Sequence, residues 1–337
     1  MNILIGVVIV VAVLAIALIV RVFELSDKLS EKEFDPIDDK GNKMNAILMM
    51  VFLIVASIGL YLVTDAYNER SLYALPPASE HGAIIDSLYN VTLLVTGLVF
   101  VFFNVMLFYF AYRYRHKRGE KAKFQTHNDK LEIWWTIIPA IVMIYLAING
   151  GMVWNSVLMT DPPEDAYLVE VTGKQFAWQI RYPGADGKLG KTDHKLRTPE
   201  NELGLDLSDP AAQDDIIIGA AAGFYLPVNK YVLFKINALD VLHAVYVPHF
   251  RVKLDAVPGM QTQFGFIPTI TTAEMREQIG NEDFNYEMAC AELCGKSHFA
   301  MKGVVYIDSQ EEVDSWLSKQ KTYSEKMKEK QMAIKAQ

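Results

Sequence analysis

Cys290-Ala-Glu-Leu-Cys-Gly-Lys-Ser-His-Phe-Ala-Met301 gathers residues with metal-binding side chains into one short segment. It contains both cysteines of the chain, Cys290 and Cys294, with His298 four residues after the second and Met301 three after that. Thiolates and thioethers are soft donors that suit copper, and imidazole, thiolate and a distant thioether together make a copper ligand set. A second cysteine at this spacing allows two thiolates to bridge two ions, each ion also taking one imidazole and one weak donor. The loop supplies a single imidazole, so another must come from elsewhere. Asp240-Val-Leu-His-Ala-Val-Tyr-Val-Pro248 offers His243 in an apolar, strand-like run. The same residues also admit a strained disulfide between Cys290 and Cys294, or a zinc site. Met301 favours copper over both.

Together these two motifs, with 47 residues from His243 to Cys290, resemble subunit II of heme–copper cytochrome c oxidases. The resemblance extends over roughly residues 85–318. It implies a binuclear copper A centre with His243, Cys290, Cys294, His298, Met301 and the backbone carbonyl of Glu292 as ligands. It further implies that the Glu292 side chain helps bind a magnesium or manganese ion at the border with subunit I. A carboxylate suits such a hard cation.

The rest of the composition places this loop outside a membrane. Hydrophobic residues make up 51% of the 337 and charged residues 21%, and the apolar excess is concentrated in the first half. Four uncharged runs occur there: Ile3–Val20, Met44–Thr64, Ser87–Tyr112 and Ile133–Thr160. Each reaches the length of about eighteen residues that a membrane-crossing helix needs. The first has no Lys or Arg before it and no small-residue cleavage site close behind, so it reads as a membrane helix rather than a signal peptide.

Orientation follows from the short loops. Residues 113–132 carry seven Lys and Arg and residues 21–43 carry five, whereas 65–86 has only Arg70 against Asp65, Glu69, Glu80 and Asp86. By the positive-inside bias the two basic segments face the cytoplasm and everything from Asp161 onward faces out. The expected location is a bacterial-type inner membrane with the copper domain on the periplasmic side.

From Tyr167 the pattern changes to short β-branched and aromatic runs broken by Gly, Pro, Asn and Asp. Tyr167–Thr172, Phe176–Tyr182, Tyr231–Asn237, Val241–Val247, Gln263–Pro268 and Gly303–Ile307 read as strands of a Greek-key barrel. The expected fold is therefore an α+β membrane protein: transmembrane helical hairpins followed by a cupredoxin-like Greek-key β-barrel. Its parts are an N-terminal hairpin at 1–66, which the family's usual two-helix anchor lacks, a typical hairpin at 85–158, the copper domain at 161–310 and a helical tail at 311–337. Residues 184–215 read as a long surface loop, with His194 solvated.

Several residues carry weaker signals. Asp129-x-x-Glu132 reads as a capping box at a helix start, and in the family a carboxylate aligned with Glu132 lies near the mouth of a proton-uptake path into subunit I. Trp134 and Trp135 suit an interfacial belt, and Pro139 a kink. Gly173-Lys-Gln-Phe-Ala-Trp-Gln-Ile-Arg-Tyr182 departs from the family, which has two tryptophans around a tyrosine here, the first being the electron-entry contact. Phe176 stands in its place, Ala177 replaces the tyrosine, and Trp178 remains as a possible electron path. Trp178 and Tyr182 also read as strand core. His249, the neighbour that rivals His243, reads as a surface residue.

The resemblance implies that electrons arrive from cytochrome c and leave for a heme in subunit I, where oxygen is reduced to water with proton translocation. Expected partners are subunits I and III, the lipid membrane, and either cytochrome c or a tethered c-type heme domain. Residues 161–310 carry a net charge of −8, which would steer a basic donor. No Cys-x-x-Cys-His occurs, so no covalent heme is expected. No nucleic-acid partner is expected either. A copper-free quinol-oxidase subunit would lack the Cys, His and Met ligands. A copper carrier or thiol–disulfide assembly factor would lack the distal His and Met.

Overall fold

The computed structural model describes residues 11, 14, 17–25, 39–68, 75–122 and 124–335. The first apolar run, Ile3–Val20, lies for the most part outside them, although 17–25 are helical. So does most of the segment 27–43.

Among the described residues, three helices are long and apolar enough to cross a membrane: α1 Asp39–Asn68, α2 Glu80–Arg113 and α3 Asp129–Leu158. Their lengths of 30, 34 and 30 residues correspond to roughly 45–51 Å at 1.5 Å per residue, more than the hydrocarbon core of about 30 Å, so their ends reach the headgroup layer. Charge suits the ends. Glu80 opens α2 and Arg113 closes it, and Asp129 and Glu132 lie in the first turn of α3, each sign where the helix dipole favours it. Almost none of the apolar surface in these spans is buried within the chain, which suits lipid or a partner helix as the surrounding medium.

The chain divides into two compact units. The first, residues 1–62 and 98–128, brings together α1 and the second half of α2. The Phe52 and Phe108 rings lie 6.0 Å apart, and the Arg118 N–H donates to Asp39 at 3.0 Å. The second, residues 63–97 and 129–337, holds the remainder.

The β domain of the second unit is two five-stranded sheets packed face to face. Its strands are β1 Tyr167–Lys174, β2 Ala177–Tyr182, β3 Ile216–Gly219, β4 Phe224–Pro227, β5 Val232–Ala238, β6 His243–Val247, β7 Val252–Ala256, β8 Thr262–Phe266, β9 Tyr286–Cys290 and β10 Lys302–Asp308. One sheet runs β3-β2-β1-β5-β8 and the other β4-β10-β9-β6-β7. Parallel pairs, β1 with β5 and β10 with β4, join distant segments within each sheet and give the crossed, cupredoxin-like connectivity. Four of these strands, β3, β4, β7 and β9, were not among the runs read from the sequence.

Period-2 burial follows the sequence. Val169 and Val171 of β1, Trp178 and Ile180 of β2, Phe234 and Ile236 of β5 and Val245 and Val247 of β6 all point into one core. Each such side chain contributes about 1.5–3 kcal/mol through burial. Trp178 and Tyr182 are core, as expected.

The segment 184–215 is less of a free loop than its composition suggests. Leu203, Leu205 and Ala212 form a second small core with Tyr323, which the terminal helix α6 Tyr323–Lys335 supplies after α5 Gln310–Leu317. His194 is exposed, as expected. Trp316 of α5 packs on Tyr225 and Tyr182 and fastens the tail.

A further helix, α4 Thr272–Ile279, begins with a complete capping box between Thr271 and Glu274. The β domain is bolted to the chain entering α2 by backbone bonds: Ala78 N–H to His249 O at 2.8 Å, Thr269 N–H to Ala78 O at 2.9 Å and Glu80 N–H to Ile267 O at 3.1 Å. Arg251 adds a bidentate pair with Asp86, both contacts at 2.8 Å, and donates to Leu75 O and Pro248 O.

Candidate metal centre

Two neighbouring strands bring the ligand types together. His243 opens β6 and Cys290 closes β9, and these strands pair with Val245 opposite Cys290. Two backbone bonds fix the departing loop, Ala291 N–H to Ala244 O at 3.0 Å and Cys290 N–H to Met301 O at 3.1 Å. The loop then turns back on itself. Gly295 has a φ of 131°, in the region that favours glycine, and a Cβ there would meet Gln175 and the Phe176 ring at 3.0–3.1 Å. A 3-10 turn over His298–Ala300 brings His298 and Met301 under the cysteines.

The donor atoms converge. Cys290 Sγ lies 3.9 Å from Cys294 Sγ, 3.8 Å from His243 Nδ1 and 3.1 Å from the Glu292 carbonyl oxygen. Cys294 Sγ lies 3.6 Å from His298 Nδ1 and 3.7 Å from Met301 Sδ. Two ligands of one ion, with metal–sulfur bonds of about 2.3 Å and metal–nitrogen bonds of about 2.0 Å, stand roughly 3.5–3.8 Å apart at tetrahedral angles. The site therefore has the edge lengths of a metal cage. It does not have those of a disulfide, whose sulfurs would be about 2.05 Å apart, and both cysteines are free.

His243, Cys290, Cys294 and Met301 are all buried, Met301 and His243 almost completely. In the metal-free chain burial pushes the Cys294 thiol up to about 11, and the adjacent Cys290 adds to the rise. An ion must therefore displace a proton to bind there.

Asp240, which sequence reasoning passed over, orients His243. Its Oδ1 accepts from the ring Nε2 of His243 at 2.9 Å and from Val241 N–H at 2.7 Å, and its Oδ2 accepts from Gln175 N–H at 2.8 Å. Partial burial would raise its pKa, but these hydrogen bonds, led by that from Gln175, hold it below the usual carboxylate range. With Nε2 donating to a carboxylate, Nδ1 is left free to coordinate. The clue was available in the sequence: an acid three residues before a candidate ligand, in Asp240-Val-Leu-His243.

Trp178 lies behind His243, edge-on at 5.8 Å between ring centroids, and Gly173 leaves room for both rings. Phe176 is half-buried over the loop, and Ala177 is exposed. The Glu292 carboxylate is exposed, so its place between the cysteines carries no burial cost. Glu132 is half-buried in the first turn of α3 and does not adjoin the metal cage.

His249 is not a surface residue. It is 6% exposed, packed edge-on against Phe284 and Tyr286, with neither ring nitrogen hydrogen-bonded. The turn after Pro248 folds its ring under the sandwich instead of outward. It stays apart from the cage.

The transmembrane-domain model of cytochrome c oxidase subunit II matches residues 68–150, and the periplasmic-domain model of the same subunit matches residues 168–307. A relative from Bradyrhizobium diazoefficiens, an alternative cytochrome c oxidase subunit 2, is 34% identical over 81% of this chain and 92% of its own length. The chain belongs to the cytochrome c oxidase subunit II family. Subunit II of Cereibacter sphaeroides is 30% identical over 72% of this chain and 78% of its own length. The solved periplasmic domain of subunit II from Bradyrhizobium japonicum is 26% identical, covering 47% of this chain and 95% of that one, with a TM-score of 0.32. This subunit II is thus a membrane protein with an outward β domain and a copper A-type ligand set. The first 67 residues precede both family matches.

Proposed function

We propose that the chain is the electron-entry subunit of a respiratory cytochrome c oxidase, holding a binuclear copper A centre. The ligands are His243, Cys290, Cys294, His298, Met301 and the Glu292 carbonyl. One observation carries this reading: two thiolates, two imidazoles, a thioether and a carbonyl meet within single-ion edge lengths. These residues would hold the centre, which when bound would supply one-electron transfer.

The chain's own residues do the remainder. Asp240 holds His243 in the coordinating tautomer, Trp178 packs edge-on behind its ring, and the sandwich fixes the cage. Electrons reach it from cytochrome c or a tethered c-type heme domain and pass to heme in subunit I, which reduces oxygen to water coupled to proton translocation. Phe176, and behind it Trp178, form the entry contact. The exposed Glu292 carboxylate is free to share a magnesium or manganese ion with subunit I. Residues 161–310 are the copper domain and 85–158 the hairpin that packs on subunit I. The location is a bacterial inner membrane with subunit III in the same complex.

Metal analysis of the purified chain tests the centre. About two coppers per chain are expected, falling to one or none in Cys294→Ser; zinc alone, or one copper in the unaltered chain, would sink the assignment.

Glu132 serves as a proton-entry group near the cytoplasmic face. Glu132→Gln keeps the side chain's size and removes its charge. Turnover of the assembled oxidase should drop severalfold while the yield of complex stays the same; unchanged turnover leaves Glu132 a helix-start residue only.

A further inference from the structure

The turn between β1 and β2 meets the metal cage at two points, and both belong to one residue. Gln175 donates its backbone N–H to Asp240 Oδ2 at 2.8 Å and its side-chain Nε2–H to the carbonyl oxygen of Cys294 at 2.6 Å. Asp240 in turn holds His243 through Nε2 at 2.9 Å. The His243 segment and the cysteine loop are 51 residues apart in sequence, counted from His243 to Cys294, and lie in different connections of the fold. Gln175 is tied to both.

The surroundings are shaped for this contact. Gly295, next to Cys294, leaves space that any Cβ would take from the Gln175 amide, at 3.0 Å, and from the Phe176 ring, at 3.1 Å. Lys174 and Gln179, flanking the turn, both bond Glu202, which anchors the hairpin from its other side. The Gln175 side chain reaches the loop from a braced base. Without its amide, the Cys294 carbonyl would lose its donor and the loop carrying Cys294, His298 and Met301 would be held at its Cys290 end and its 3-10 turn alone.

We propose that Gln175 is a positioning residue for the copper centre, bracketing the cysteine loop against the Asp240–His243 pair. The bracket rests on the copper reading above. Its role is to set where the Cys294 thiolate stands relative to the His243 imidazole, and so to keep both ions' ligands at bonding distance without reorganisation. Partners of this kind around a metal site are worth about 10–100-fold in metal affinity.

The test compares the full-length chain with Gln175→Met, which keeps side-chain length and removes the donor, and Gln175→Asn, which keeps the amide one carbon short. Copper retention is measured by competition with a Cu(I) chelator, together with the EPR hyperfine pattern of the copper-loaded chain and the Tm of the chain with and without copper. Both variants should release copper at about tenfold lower chelator concentration, with an altered hyperfine pattern and a metal-free Tm equal to that of the unaltered chain. Unaltered copper retention and spectrum in Gln175→Met would overturn the bracket. An equal loss of Tm with and without copper would also overturn it, because that marks a residue serving only the hairpin. If the unaltered chain binds no copper, the reading of the site itself fails, and that outcome is separate from an indifferent Gln175→Met in a chain that holds two.

Discussion

Strand β6 has two ends, roughly 13 Å apart at 3.3 Å per residue, and they are closed in different ways. At His243 the closure is a cage of donor atoms around which the protein supplies orientation but no bond between the ligands themselves. At Pro248–Arg251 the closure is self-contained: the His249 carbonyl accepts from Ala78 N–H, just before α2, and Arg251 makes a bidentate ion pair with Asp86 of α2. Arg251 even adopts a left-handed backbone, φ 53°, which a side chain tolerates only where its contacts compensate. The two ends divide their labour. The membrane end, at Pro248–Arg251, is closed by bonds within the chain, whereas the metal end, at His243, brings donor atoms together without bonding them to one another.

The largest loss of stability is expected at Arg251. Arg251→Ala removes both contacts to Asp86 and two donations to carbonyls, and leaves a mostly buried carboxylate without its partner. Stranding one member of such a pair costs about 3 kcal/mol or somewhat more. For a domain of this size that corresponds to a Tm lower by roughly 6–12 °C, measured on the purified full chain by circular dichroism. Copper stoichiometry and the EPR pattern should stay unaltered. A loss of copper equal to the loss of stability would show that the two ends are not independent.

Much of the architecture was legible in the sequence because it rests on patterns of type and spacing. The apolar runs beginning at Met44, Ser87 and Ile133 became α1, α2 and α3, since length and hydropathy alone decide a span. His243, Cys290, Cys294, His298 and Met301 were named because soft donors are scarce and these cluster. What escaped depended on pairing across long distances. β3 and β4 are four residues each and have no alternation long enough to read; they exist because β2 and β10 accept them. β9 hides in Tyr286–Cys290, whose burial is clear only beside β6 and β10. Asp240 and Gln175 escaped for the same reason, since their work is done on residues that the chain brings near only once folded. His249 was misplaced because a histidine beside a proline suggests a turn at the surface, whereas this turn is covered by Phe284 and Tyr286.

That buried histidine offers the finer way to separate the two ends. His249 sits at the membrane end, its carbonyl accepting from Ala78 N–H while its ring nitrogens stay unbonded. Burial, reinforced by the positive charge of Arg251 and only weakly opposed by Glu287, pushes its pKa down to about 4. The unfolded chain would titrate near 6.5. Between those values the unfolded state therefore binds more protons than the folded one, so stability is complete above about pH 6.5 and declines as the pH falls toward 4. At pH 5 the loss is about 2 kcal/mol, or roughly 4–8 °C in Tm. His249→Phe has no titrating ring and fits an aromatic surrounding already made by Phe284 and Tyr286, so the decline over this range should shrink by that amount. Melting the metal-free full chain at pH 7.5 and pH 5, with and without the substitution, isolates the contribution from ligand protonation. If both proteins lose the same Tm between the two pH values, protonation of His249 does not carry the acid sensitivity of the fold.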